Sequence, residues 1–362
     1  MSSNVFNGVT ELFINFTRNC NLNCSYCFEE QKHNSYITKE ILDSLIEVIK
    51  NNKQLQYFYL FGGEPFLATK QINYFVEELE KIHKSTGIDF HLAVITNGTI
   101  YNEEIKNTIK KIKENLNFYY VLSLDGDREL HNKNRKFLSG KGSYDLAINN
   151  SKEFHKDFPD VRMEYHCVIN KDTVNDFYRN VKSLFRSHLF VSGTYKFLTS
   201  TRIDNDYTIE DYEKVYRDIM RLNNEGYSLE FIGERLDGLL YGNDYRYKNC
   251  YLEKDICTNC THVLTVDIDG EVYPCNHYMS VSVDKIKQFS IYNLLTKKYR
   301  PFPVNKILDM CKSDECYTCN YKFSCYICSA SVDINNEKGF EYCCNENKKI
   351  HKAMENVKFI LK

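Results

Sequence analysis

Six short apolar runs, separated by longer amphipathic stretches, occupy the first 198 residues, and this alternation constrains the fold more than any other feature. Candidate strands are Glu11–Phe16, Gln56–Phe61, Asp89–Thr96, Asn117–Leu124, Arg162–Ile169 and Thr194–Leu198. Helical patterns lie between them at Lys39–Lys50, Gln71–Lys84, Glu103–Glu114, Tyr144–His155 and Val174–Arg186, with a further one at Ile209–Asn223. In Lys39–Lys50, the residues Ile41, Leu42, Leu45, Ile46 and Ile49 recur at helical spacing and define one apolar face. Repeated β-α units predict a parallel sheet covered by helices, whose strands bury both faces. Periodicity does not decide whether such a sheet closes or stays open.

The unusual residues follow the carboxyl ends of these strands, where α/β folds place ligands. A Cys20-x3-Cys24-x2-Cys27 triplet follows the first strand. Gly62, Gly63, Glu64 and Pro65 follow the second, Thr96, Asn97 and Gly98 the third, and Asp125 and Gly126 the fourth. Three thiolates can hold three irons of a [4Fe-4S] cube, which normally takes four Cys, and leave one iron open for a ligand. Thiolate sets also suit structural zinc, usually with four ligands. The two glycines after the second strand let the main chain approach a ligand closely, and Pro65 fixes the turn.

Together these elements resemble the radical S-adenosylmethionine (SAM) superfamily. Tyr26 fills the aromatic slot of its cysteine motif, and Gly62-Gly63-Glu64-Pro65 resembles its GGEP motif. Ser123-x-Asp125-Gly126, followed by Asn132, Asn134 and Arg135, matches a third segment. The resemblance implies a partial (β/α)6 TIM-type barrel. It implies that SAM chelates the open iron, that GGEP binds the amino group of its methionine part, and that Ser123 and Arg135 also contact it. An Arg suits a carboxylate because its planar fork binds bidentately. Asn97 is a further cofactor-pocket candidate.

Of 15 cysteines, three lie near the start, Cys167 stands alone, and eleven fall from Cys250 onward. In a chain with no signal peptide and no run of about 18 apolar residues, a cytoplasmic location is expected, where thiols stay reduced and clustered cysteines serve metals. The 47 basic and 49 acidic residues give a net charge of -2, and no basic stretch points to nucleic acid or an anionic membrane. Beyond Tyr227 the β-α alternation stops. His262–Asp267 and Glu271–Tyr273, split by Asp269-Gly270, predict a hairpin, and Ile350–Ile360 predicts a closing helix. This region resembles the SPASM extension of radical SAM enzymes, which binds two auxiliary [4Fe-4S] clusters. The resemblance assigns Cys250, Cys260, Cys275 and Cys328 to one and Cys316, Cys319, Cys325 and Cys344 to the other. Cys257 and Cys343 are alternatives, and a zinc ribbon using the same thiols is the competing reading. Two domains are expected, a barrel over 1–226 and a SPASM domain with a bridging helix over 227–362.

The family members most like this chain are anaerobic sulfatase-maturating enzymes and SPASM maturases of ribosomal peptides. In the former, an Asp thought to remove a substrate proton directly follows the cysteine that corresponds to Cys275. Here that position is Asn276. A neutral amide cannot act as a carboxylate base, so the expectation favours the peptide maturases. The expected chemistry is reductive cleavage of SAM to a 5′-deoxyadenosyl radical that takes hydrogen from a bound precursor peptide. A flavodoxin or ferredoxin-type protein would supply the electron. With only about ten residues before the first strand, either a separate leader-binding protein is a further partner or the barrel and SPASM region hold the peptide themselves. The rival classes are formylglycine formation in a sulfatase and a non-catalytic iron–sulfur or zinc protein. His166, His262, His277 and Glu164 are the remaining groups with acid–base chemistry.

Overall fold

The computed structural model describes residues 5–27, 29, 32–186, 188–197, 206–227, 229–231, 262–280, 286–300, 314–321, 327–335 and 337–360. Its strands are β1 (Glu11–Asn15), β2 (Tyr57–Phe61), β3 (His91–Thr96), β4 (Asn117–Ser123), β5 (Arg162–Ile169), β6 (Ser192–Phe197), β7 (Leu229–Phe231), β8 (Val263–Val266), β9 (Glu271–Tyr273) and β10 (Tyr292–Asn293). Its helices are α1 (Lys39–Asn51), α2 (Thr69–Thr86), α3 (Glu103–Asn115), α4 (Arg128–Asn134), α5 (Tyr144–Asp157), α6 (Phe177–Phe185), α7 (Ile209–Asn224), α8 (Asp314–Thr318), α9 (Ser329–Asn335) and α10 (Glu337–Ile360). They form two compact units, one of Met1–Leu124, His131–Glu164 and Asn259–Phe302, the other of Asp125–Leu130, Tyr165–Thr258 and Pro303–Lys362.

In the first unit the strand order is β10-β9-β8-β1-β2-β3-β4. β1 to β4 are parallel, as the β-α alternation predicts, with Ile14 opposite Leu60 and Leu60 opposite Val94. Helix α1 starts where Thr38 accepts the Ile41 N–H at 3.4 Å and buries the five apolar residues read from its periodicity. Helix α2 stops at Gly87, whose φ of 71° closes the last turn through a bond to the His83 carbonyl. Its Phe75 meets Phe58 of β2 edge-on at 5.5 Å, so this face of the sheet is sealed. The opposite face is not. Leu12, Ile14, Phe58, Leu60, Leu92 and Val94 are buried, but Phe13, Tyr59, Phe61, Ala93 and Ile95 alternate with them and are only half-buried. Register places Phe13 beside Tyr59, and the rings stack at 4.3 Å. Runs that read as doubly buried are therefore singly buried with an aromatic second face.

The C-terminal hairpin forms as predicted, with Thr265 opposite Tyr273. Sequence alone did not show where it goes: β8 joins the same sheet, parallel to β1, with Ile14 opposite Val266.

The second unit orders β5, β6 and β7 side by side. The Val174–Arg186 pattern divides into a 3-10 turn, Val174–Asp176, and α6, because Asp176 takes a non-helical φ of -110° and ψ of 9°. The closing helix α10 is longer than its periodic part suggests, beginning at Glu337 and carrying Cys343 and Cys344. It meets α7 through the Tyr212 hydroxyl, which donates to Glu346. Helix α7 opens with a capping box: the Asp211 N–H donates to Thr208 Oγ1 at 3.2 Å, and the Thr208 N–H donates to the Asp211 carboxylate at 2.6 Å. Thr208→Ala should lower the thermal unfolding free energy by about 1 kcal/mol. Burial works against ionised Asp211, but the Lys171 ion pair and the Thr208 N–H hold its carboxyl below the ordinary value. Its contribution is therefore present above the ordinary carboxyl range and lost as pH falls through the depressed value. Among the described residues no helix is long and apolar enough to cross a membrane.

Candidate functional site

The chain leaves β1 into a loop whose stem is zipped shut. The Arg18 N–H donates to Ser35 O at 3.2 Å, the Ile37 N–H to Phe16 O at 2.9 Å, and Thr17 pairs antiparallel with Tyr36. Cys20, Cys24 and Cys27 lie on this loop. Cys20 is buried, Cys24 and Cys27 are half-buried, and a turn closes where the Cys27 N–H meets Cys24 O at 3.1 Å. Burial is the main cause that pushes the Cys20 thiol up to about 12, and the nearby Glu64 carboxylate adds to it. A bound cation would reverse that preference, because coordination deprotonates a thiol.

Gly62 and Gly63 bring two loops together. Their backbone runs against the stem of the Cys loop: the Gly63 N–H donates to Thr17 O at 2.7 Å and the Glu64 N–H to Asn19 O at 2.8 Å. A Cβ on Gly63 would lie 2.2 Å from Asn19 O, and one on Gly62 would lie 2.4 Å from Thr17 O at a φ of 139°. The glycines let chain meet chain. Glu64 caps the 3-10 turn Pro65–Ala68 and is fully buried. Its carboxylate accepts from the Phe66 N–H at 3.1 Å, Thr96 Oγ1 at 2.7 Å and the Asn97 N–H at 2.8 Å. Burial raises it to about 7, against those three donors. Glu64 thus fastens the end of β3 to the second loop.

Asn97 and Arg135 lie against the same loop. Asn97 Nδ2 donates to Asn21 Oδ1 at 2.9 Å and reaches Cys20 Sγ at 3.8 Å, while its Oδ1 accepts from the Thr99 N–H at 2.9 Å. The segment after α4 forms a rail along the cysteines. The Ser25 N–H donates to Asn134 O at 2.9 Å, the Asn23 N–H to Lys136 O at 2.7 Å, and Leu22 bridges Phe137. Arg135, on that rail, is buried with its guanidinium 5.3 Å from the centre of the Tyr26 ring. Ser123 ends β4, one residue beyond the Thr96–Leu122 pair. Asp125 serves its own unit by accepting the Val168 N–H at 3.3 Å.

Sequence reasoning missed a buried polar network on either side of the cysteines. Arg18 Nη1 donates to Glu29 Oε1 at 2.8 Å and its Nη2 to Asp267, which follows β8. Asn15 Nδ2 donates to Asp267 Oδ1 at 2.9 Å. All four side chains are buried, and burial raises Glu29 to about 7 and lifts Asp267, against the pull of Arg18. The signal was available as Arg18 and Glu29, each two residues outside the triplet, but their partner is some 250 positions away.

Of the C-terminal thiols, Cys275 is buried at the end of the hairpin, followed by Asn276 in a 3-10 turn. In the second unit, burial raises the Cys344 thiol, and the charges of Lys348, Cys316 and Cys319 reach it. Cys343 is buried and bonds toward Ser331 and the Cys328 backbone. Cys250, Cys257, Cys260, Cys311 and Cys325 lie outside the described residues. Glu164 is ion-paired with Arg162 at 2.6 Å, His262 bonds Gly8 O at 3.1 Å, and His166 and His277 lie on β5 and in the turn after Cys275.

The donor set fits an iron–sulfur cube. It is all thiol, on one loop braced by three neighbouring segments. No three His, Cys, Asp or Glu side chains among the described residues are close enough to hold a single ion. A cube asks less, since each thiolate takes its own iron.

Residues 14–184 match the Radical SAM superfamily. The chain is 27% identical over 352 residues to a cysteine-type anaerobic sulfatase-maturating enzyme of Clostridium perfringens, covering 90% of each chain. It is 22% identical to a serine-type enzyme of Bacteroides thetaiotaomicron, covering 90% of this chain and 84% of that one. The fold matches anSMEcpe with bound AdoMet and the Cp18Cys peptide at a TM-score of 0.73 and 23% identity, over 98% and 99% of the two chains. It also matches SuiB of Streptococcus suis, bound to precursor peptide SuiA, at a TM-score of 0.68 and 16% identity, over 93% and 76%.

Proposed function

We propose that this enzyme, whose residues 14–184 match the Radical SAM superfamily, modifies a side chain or α-carbon of a peptide by hydrogen abstraction. The observation that carries the proposal is the convergence of the three-thiol loop, the Gly62–Pro65 segment, Asn97 and Arg135 in one compact unit. Cys20, Cys24 and Cys27 would hold the cluster. When SAM is bound, such a cluster supplies one electron for homolytic cleavage of the sulfonium and a 5′-deoxyadenosyl radical. The chain's own share is positional. Arg135 would offer a guanidinium fork to the methionine carboxylate, Glu64 and Asn97 would fix the loops after β2 and β3 beside the cysteines, and Ser123, at the end of β4, would add a further contact.

The preferred substrate is a ribosomal precursor peptide, with a cross-link, thioether or oxidation as product. Asn276 supports this, since it offers no carboxylate where the sulfatase-maturating enzymes have one. The second reading, formylglycine formation in a sulfatase, is favoured by relatives that align over 90% of both chains. It requires another base. The C-terminal part, 227–362, would bind two auxiliary [4Fe-4S] clusters. Proximity of Cys344 to Cys316 and Cys319 favours it over Cys343 as their companion, with Cys325 the fourth; Cys250, Cys260, Cys275 and Cys328 form the other set. A flavodoxin or ferredoxin-type reductant, a separate leader-binding protein and a cytoplasmic location complete the proposal.

Anaerobic reconstitution with SAM and dithionite should release 5′-deoxyadenosine. Absence of that product from fully iron-loaded protein would defeat the enzymatic reading. Mass spectrometry of two co-incubated peptides separates the substrates. A mass change in a candidate precursor supports the first reading, and formylglycine in a sulfatase-motif peptide supports the second.

A further inference from the structure

We infer that Asp267, acting through Arg18, is a positioning residue for the cysteine loop, so that the C-terminal hairpin holds the N-terminal thiols in place. Arg18 precedes Cys20 by two residues and Glu29 follows Cys27 by two, so one guanidinium ties both ends of the loop. Its Nη1 is 2.8 Å from Glu29, and its Nη2 donates to Asp267. Asp267 is itself fixed from two sides. Asn15 Nδ2 donates to its Oδ1 at 2.9 Å, and the Ile268 N–H donates to the same oxygen at 2.8 Å. The strand before Asp267 is paired with β1, Ile14 opposite Val266, and the hairpin continues to Cys275.

Stability alone does not account for this arrangement. Three charged groups at 3% exposure or less lose their hydration, and apolar replacements of such sets are often neutral or stabilising. What the charges supply is direction. A guanidinium presents donors along two fixed axes, and here each axis ends on a carboxylate from a different segment. The loop between them carries the cysteines. The role in cofactor binding rests on the function proposed above, but the first part of its test does not.

The test compares Asp267→Asn and Glu29→Gln in the full chain with Asp43→Asn, whose carboxylate is exposed on α1. In chelator-treated, iron-free protein, peptide-resolved mass spectrometry follows iodoacetamide labelling of Cys20, with buried Cys167 as internal comparator. Asp267→Asn should label Cys20 about tenfold faster, with Cys167 and the Asp43→Asn protein unchanged, since only local opening is affected. Glu29→Gln, which loosens only the loop-side arm, should give a smaller rise of about threefold. It decides the question if Asp267→Asn does not fold. An unchanged Cys20 rate, or Cys20 and Cys167 rising together, overturns the inference. In iron-loaded protein, Asp267→Asn should move the reduction potential of the N-terminal cluster upward, because net charge around a cluster sets its potential. A potential that stays put or falls also overturns it. A chain that labels as expected yet never cleaves SAM removes the proposed function and leaves the loop-positioning result standing.

Discussion

Alanine at Cys20, Cys24 or Cys27, one at a time, is expected to lower 5′-deoxyadenosine release from reconstituted protein by about 10³-fold or more, and the triple variant should be no worse than any single one. Groups that act as a unit lose their function together. A cube held by two thiolates presents two unprotected irons, and the site that distinguishes the open iron from the others is gone. The three positions are not equal in other respects. Cys20 is buried and receives the Leu22 N–H at 3.4 Å, so Cys20→Ala also removes packing under the loop. Cys24 and Cys27 are half-buried, and their replacements should leave the thermal midpoint close to the parent's. Chromatographic quantification of 5′-deoxyadenosine, with iron content measured on the same samples, checks the claim. Residual cleavage above one-tenth of the parent in any single variant would mean that the cluster is held elsewhere.

Much of this site was legible because its residues come in short segments placed after strands. The triplet, Gly62–Pro65, Asn97 and Arg135 each sit within a few positions of a strand end or a turn, and a parallel sheet aligns those ends. What could not be read was reciprocity between segments. Gly62 and Gly63 state only that something comes close, and the Thr17–Asn19 backbone, one such neighbour, is not named by the sequence. Nothing in the sequence pairs Asp267 with Glu29, since their burial and shared Arg18 exist only after β8 has joined β1. Helix α4 escaped notice because its seven residues carry no apolar period. Its start is set by Asp127, which accepts the Glu129 and Leu130 N–H groups at 3.2 Å each. Neither face of the sheet could be ranked from runs such as Phe58–Phe61, in which every residue is apolar and only packing separates Phe58 from Tyr59.

The backbone contact between the second loop and the cysteine loop leads to the other large expected effect. Gly63→Ala should destabilise the protein by about 3 kcal/mol or displace the Cys loop, because overpacking a fixed contact carries a cost of that order. The obstruction is main chain. The added carbon would lie 2.2 Å from Asn19 O, 2.7 Å from Asn19 C and 3.0 Å from Arg18 C, and none of these atoms can swing aside as a side-chain end could. Relief would have to come from lengthening the Gly63–Thr17 and Glu64–Asn19 hydrogen bonds, which seat the loop one residue before Cys20. Gly87→Ala is the comparison: open space surrounds that position, and only its φ of 71° opposes a side chain, a penalty of about 1 kcal/mol. Thermal unfolding should therefore rank Gly63→Ala well below Gly87→Ala, and iron uptake at the N-terminal site should fail in the former alone. If Gly63→Ala unfolds at the parent's midpoint and loads iron normally, the seating of the cysteines does not depend on that backbone zipper.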